Sequence, residues 1–178
     1  MAKVKITDFK KFVAQMSTDE IREELIILFN KLPQVHDYYA QELMRPEDRK
    51  SVLADYKKKV NNQFWTRGGN PRNTSNVEVR KIITEFEKVC ISKKEVVELL
   101  LYRVDVALDQ ANQFGGLPDG DYNAAVNAYE KALKIITKEK LEAYFKVECR
   151  EISRNRGNMD YWVIDQMKDL NMEYLGED

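Results

Sequence analysis

Five oxygen-bearing side chains, Asp119, Asp121, Asn123, Asn127 and Glu130, fall on positions 1, 3, 5, 9 and 12 of a calcium-loop spacing. Carboxylate and amide oxygens at those intervals can wrap one hard cation. Val126 fills the usual apolar eighth position. Ala124 stands at the sixth, where the sharp turn needs glycine. Gly115, Gly116 and Pro118 also break the entering helix early. A helix cap at Asp119 or Asp121 explains the same residues more simply. No metal site is expected.

Nucleophilic and acid–base chemistry has less to work with. The only histidine is His36, in Val-His-Asp-Tyr-Tyr, and it reads as a surface or interface residue. Nucleophile-elbow, phosphate-loop and dinucleotide-binding glycine patterns are all missing. Asp105 and Asp109 lie one helical turn apart, with Glu98 on the same side. Metal sites in helical bundles add a Glu-x-x-His element, which this chain lacks, so these acids read as a solvated face. Cys90 and Cys149 are 59 residues apart with no C-x-x-C spacing. They read as buried thiols in a reducing compartment. No catalytic residue and no cofactor is assigned.

Binding chemistry is concentrated in one stretch. From Lys57 to Lys81 there are seven basic residues against Glu78 alone, a local charge of +6 in a chain of net charge −1. The candidate binding residues are Lys58, Lys59, Trp65, Arg67, Arg72, Arg80 and Lys81. Arginines pair with phosphates, and an exposed aromatic can stack on a base. Gly68 and Gly69 would let backbone amides approach an anion. The plainer reading is a solvated loop over 65–76, with Phe64 and Trp65 anchoring the preceding helix in the core. Arg150, Arg154 and Arg156 form a weaker basic cluster. From Met159 onward, six acids stand against Lys168, a local charge of −5, which reads as a solvated helix face.

The elements that position these residues are written at helical period. Ser17, Ser75 and Ser92 are each followed three residues later by glutamate, the pattern of a capping box. The spacing predicts helices near 8–15, 18–31, 33–43, 46–64, 77–90, 93–114, 122–136, 138–154 and 159–174. Ile21, Leu25, Leu28, Phe29 and Leu32 form the expected inward row of the second. Val97, Leu100, Leu101, Val104, Leu108 and Ala111 give the sixth a wide apolar stripe, as in a helix packed on more than one side. Ala125, Tyr129 and Ala132 match the small–aromatic–small pattern of a tetratricopeptide helix. A repeat array needs about three copies, and no second copy is present. Alternation at period two is confined to very short segments, so no sheet is expected. The expectation is one all-α domain over 1–178, with about nine antiparallel helices in an irregular bundle or short α-solenoid-like superhelix.

No run approaches the roughly 18 apolar residues of a membrane span, and the N-terminus lacks a signal-peptide core. A cytoplasmic protein is expected.

The order of elements resembles a bacterial family catalogued only as a domain of unknown function. The resemblance rests on Leu32-Pro-x-Val-x-x-Tyr-Tyr39, a lysine-rich helix ending in Phe64-Trp65, and an Arg-Gly loop. It continues through Val79-Arg-Lys-Ile82, Asn112-Gln-Phe-Gly115, and Tyr122-Asn with an alanine-rich helix. It implies a small all-helical cytoplasmic protein and supplies no activity or site residues. A Gly-Trp-Gly-like turn tends to precede the last helix in that family. Here that position reads Arg156-Gly-Asn-Met-Asp-Tyr-Trp162, a departure. The function expected is a non-enzymatic interaction module with a protein partner. The alternatives are nucleic-acid binding through 57–81, then an enzyme of unrecognised type.

Overall fold

The computed structural model describes residues 5–154 and 160–176, with all side chains there except those at 34, 37, 41 and 46. The described residues form α1 (Ile6–Val13), α2 (Thr18–Lys31), α3 (Pro33–Leu43), α4 (Pro46–Phe64), α5 (Asn76–Val89), α6 (Lys93–Phe114), α7 (Asp119–Glu139), α8 (Glu142–Ile152) and α9 (Tyr161–Leu175). The class is all-α. Extended pairing among the described residues is limited to one isolated bridge, Trp65 to Pro71. The chain divides between Leu43 and Met44 into two compact units.

In the first unit, Ser17 makes a complete capping box. Its Oγ accepts from Glu20 N at 3.3 Å, and Glu20 Oε2 accepts from Ser17 N at 2.7 Å. Two free amide groups of the first turn are thereby satisfied. Pro33 follows an extended Leu32 and opens α3. α2 packs on α3, with the Phe29 and His36 rings 4.8 Å apart. The expected inward row is not buried. Neither α1 nor α2 buries a side chain, and Leu25 and Leu32 are exposed. Three short helices supply no second layer to cover the stripe.

In the second unit, α6 is the centre. It packs against α4, α5, α7 and α8. All six residues of its expected stripe are buried. Ala125, Tyr129 and Ala132 are fully buried on α7, which packs on α6 and α9. Small side chains at helical spacing permit that close approach without any repeat. Ser75 and Ser92 each accept from the amide three residues on, both at 3.4 Å. Their glutamates do not complete the box. Glu78 accepts from Lys81 Nζ at 2.7 Å, and Glu95 accepts from Cys90 Sγ at 3.4 Å. α7 runs past its expected end at Ile136 until Lys140 at φ 57, and α8 starts correspondingly late, at Glu142.

One buried polar network fastens α7, α8 and α9. The Tyr129 hydroxyl donates to the Cys149 carbonyl at 2.8 Å and lies 2.7 Å from Asn171 Oδ1. Asn171 Nδ2 donates to Ser153 Oγ at 2.8 Å. Ser153 Oγ in turn donates to the Arg150 carbonyl at 3.1 Å. Every side chain in the network has a partner, as buried polar groups require.

Candidate functional site

The tract over 57–81 is ordered by its own backbone. Thr66 N donates to Asn70 O at 2.9 Å, and Arg72 N donates to Phe64 O at 2.8 Å. Gly69, at φ 77, closes the turn by donating to Thr66 O at 3.0 Å. Glycine tolerates that left-handed conformation without a Cβ clash. The Gly69 amide is therefore spent inside the turn. From α6, the buried Gln110 Nε2 donates to Phe64 O at 2.9 Å and to Arg72 O at 3.2 Å. One side chain pins both ends of the hairpin.

The structure distributes the candidate residues rather than gathering them. Trp65 is half-buried and packs on the core, its ring 5.8 Å from that of Phe114. Lys57 sits 3.8 Å from Glu98 and over the Tyr102 ring. Lys59 lies over the Tyr56 ring at 4.1 Å. Lys81 pairs with Glu78, which raises its pKa. Lys58, Arg67 and Arg72 are exposed. Arg80 is exposed and borders a cavity.

That cavity, of about 200 Å³, lies among α5, α6 and α7. Its cations are Arg80, Arg103 and Lys131, one from each helix. Asn76, Thr84 and Asn127 add polar groups, and Val79, Ile83 and Leu100 add apolar wall. Lys131 pairs with Glu87. Arg103 is 3% exposed, an unusual place for a guanidinium. Its Nη2 donates to Asn76 Oδ1 at 3.0 Å, and Asn76 Nδ2 donates to Asp121. Its Nη1 is buried and has no hydrogen-bond partner among the described residues. Burial lowers the Arg103 pKa to about 10, against the opposing pull of Asp121. A buried unpaired donor costs on the order of 1–3 kcal/mol, more when charged.

A family model described as Family of unknown function (DUF6155) matches residues 2–172. The chain belongs to this family. No curated protein and no solved structure matches it.

The remaining candidate residues of this DUF6155 chain lie on other elements. The calcium-spaced residues all lie on continuous helix α7, which points them in different directions instead of wrapping one ion. Nor does Asp119 or Asp121 cap α7. Pro118 holds the cap position, and Asp121 accepts from Asn76 instead. Among the described residues, no three His, Cys, Asp or Glu side chains group closely enough to hold a metal. Cys90 and Cys149 are free, buried thiols, and burial pushes both pKa values up to about 12. In the second basic cluster, Arg154 pairs with Glu151 at 2.7 Å, and Arg156 lies outside the described residues.

Sequence reasoning missed Arg103, Asn76, Lys131 and Gln110 in this family member. A signal was present for two of them. Arg103 and Gln110 interrupt the most apolar stretch of the chain at positions whose helical neighbours, Leu99, Leu100, Ala107 and Ala111, are buried. Asn76 and Lys131 carry no comparable mark, because each reaches the site through tertiary packing.

Proposed function

We propose that this protein is a non-enzymatic macromolecular interaction module of the cytoplasm, docking a protein through its first unit. The observation that carries the reading is the uncovered apolar surface of α1 and α2. Ile6, Phe9, Phe12 and Ile26 are each more than half exposed there. Large apolar side chains left exposed on two neighbouring short helices are the kind of surface that interaction sites use. At the corner between the two helices, Phe12, Met16 and Ile27 line a groove bordered by Glu20, Glu23 and Glu24. Glu20 is engaged by its cap, which leaves Glu23 and Glu24 as the outward acids. The chemistry that fits is an apolar helical segment flanked by lysine or arginine, with opposite charges setting its register.

The test places a photo-crosslinking amino acid at position 12 of the full chain in a lysate of the source cells. The expected result is a discrete protein adduct that disappears on Ile27→Glu and on the double reversal Glu23→Lys, Glu24→Lys. Adducts insensitive to these changes would overturn the reading. So would turnover in a broad metabolite screen.

A second reading, nucleic-acid binding through 57–81, is supported by Lys58, Arg67, Arg72 and Arg80. These are exposed and form no ion pair among the described residues. Because Trp65 packs inward, such binding would rest on phosphate contacts. Its affinity for oligonucleotides would fall steeply with salt and would not depend on base stacking. Absence of binding at low salt would remove it.

A further inference from the structure

We propose that the cavity among α5, α6 and α7 is a binding site for a small organic oxyanion, whose charged head meets Arg103, Arg80 and Lys131 and whose apolar body lies on Val79, Ile83 and Leu100. The site is independent of the docking surface on the first unit.

Three observations carry it. Three helices each contribute one cation to a single cavity, whereas the two acids in contact with its lining are already engaged: Asp121 by Asn76 and Glu87 by Lys131. The cavity-lining residues include no acid. Arg80, Arg103 and Lys131 against Asp121 and Glu87 leave an excess of positive charge that an anion would neutralise.

The second observation is Arg103 itself. A guanidinium held at 3% exposure has lost most of its water, and one of its nitrogens has gained no partner in return. Its geometry is nevertheless fixed. Nη2 is held by Asn76, and Cζ lies 5.8 Å from the Phe64 ring centroid. Arginine presents its nitrogens as a planar fork that matches a carboxylate or phosphate. A fork clamped at one tine holds its charge fixed at the wall of the cavity, where an oxyanion would neutralise it.

Third, the cavity is amphipathic and of suitable size. A dry cavity of about 150 Å³ accepts benzene, so about 200 Å³ accommodates an aromatic or short aliphatic body with a compact charged head. Asn76 lies where α5 begins, so the positive end of that helix adds to the same field. Small-molecule sites commonly combine an apolar wall with a few convergent polar groups in this way.

Phenyl phosphate, benzoate and inorganic phosphate are the probes, titrated calorimetrically into the full chain at low and physiological salt. Phenyl phosphate or benzoate is expected to saturate with a Kd of about 1 mM or below. The tighter of the two identifies the head group. Inorganic phosphate is expected to bind more weakly, because it leaves Val79, Ile83 and Leu100 uncovered. Arg103→Met is expected to weaken binding about tenfold or more, a difference of about 1.4 kcal/mol. Since that change touches the core, Arg80→Gln and Lys131→Gln are measured alongside it. Both residues are exposed, and each substitution is expected to weaken binding about threefold by removing one charge. The assignment is overturned if neither organic probe saturates by about 10 mM. It is also overturned if inorganic phosphate binds as tightly as both, or if Arg80→Gln and Lys131→Gln bind as tightly as the unmodified chain. Crosslinking at position 12 reports on the docking surface separately, so either result can fail alone.

Discussion

Two buried polar groups of side chains in the second unit have opposite characters. The Tyr129–Asn171–Ser153 network is closed, each member donating to or accepting from another or from the α8 backbone. The Arg103–Asn76–Asp121 chain is open, with Nη1 of the cavity-lining Arg103 buried and unpaired. Both cost desolvation. Only the first recovers that cost within the protein, because a buried polar group is stabilising when its hydrogen bonds are complete. The closed network therefore fastens helices together. The open chain holds a charge in place at the expense of stability, as functional sites do.

The sharpest way to break this contrast is Asn171→Leu. It removes the Asn171 contact of both Tyr129 and Ser153 and leaves each buried hydroxyl with only its bond to the α8 backbone. We expect a loss of about 3 kcal/mol in urea unfolding of the full chain. A loss near zero would mean that the network fastens nothing.

Tyr129→Phe is the milder form. The ring still fills its place and only the hydroxyl goes, so about 1–2 kcal/mol is expected in the same measurement.

Raising the pH probes the same region. Cys149, whose carbonyl accepts from Tyr129, keeps its thiol neutral in the fold up to about 12, against 9.0 as its ordinary value. Between those values the unfolded chain releases the proton and the folded chain retains it, so stability falls as pH rises above 9.0. One such thiol accounts for about 1 kcal/mol between pH 8 and 10. The slope of stability against pH over that range should be shallower in Cys149→Ala than in the unmodified protein. Equal slopes would remove this thiol from the account.

The smallest expected effect is the most discriminating. Arg103→Met keeps an unbranched apolar stem and removes a charge that is only half satisfied. Without ligand, the stability change should stay within about 1 kcal/mol in either direction, because apolar replacement of a buried charge is often neutral. A loss as large as that of Asn171→Leu would make Arg103 a structural fastener like Tyr129.

Most of the fold was legible because it rests on local signals. Ser17, Pro33, Pro46 and Gly115 mark helix ends that depend on a few adjacent residues, and those boundaries agree with the structure. The stripe of α6 was legible from its width. Ends decided by tertiary competition were not. Glu95 lies beside Cys90 and does not complete its expected box, and α7 continues past Ile136 until Lys140 turns left-handed. Of the candidate binding residues, Arg80 alone reaches the cavity. Charge density along the chain identified the basic stretch but not which charges face one another. Trp65 read more plainly as an anchor than as a stacking surface, and its contact with Phe114 shows it packing.

The bare helices of the first unit also set a timescale. α1 has 8 residues and α2 has 14, and neither buries a side chain. Helices of that length are marginal when little tertiary packing holds them. Their amides should open by local fraying and exchange hydrogen with solvent far sooner than those of α6, which lies at the centre of its unit's core. The molecule thus runs on two clocks. A protein settling on α1 and α2 would slow the fast one while leaving the slow one nearly untouched.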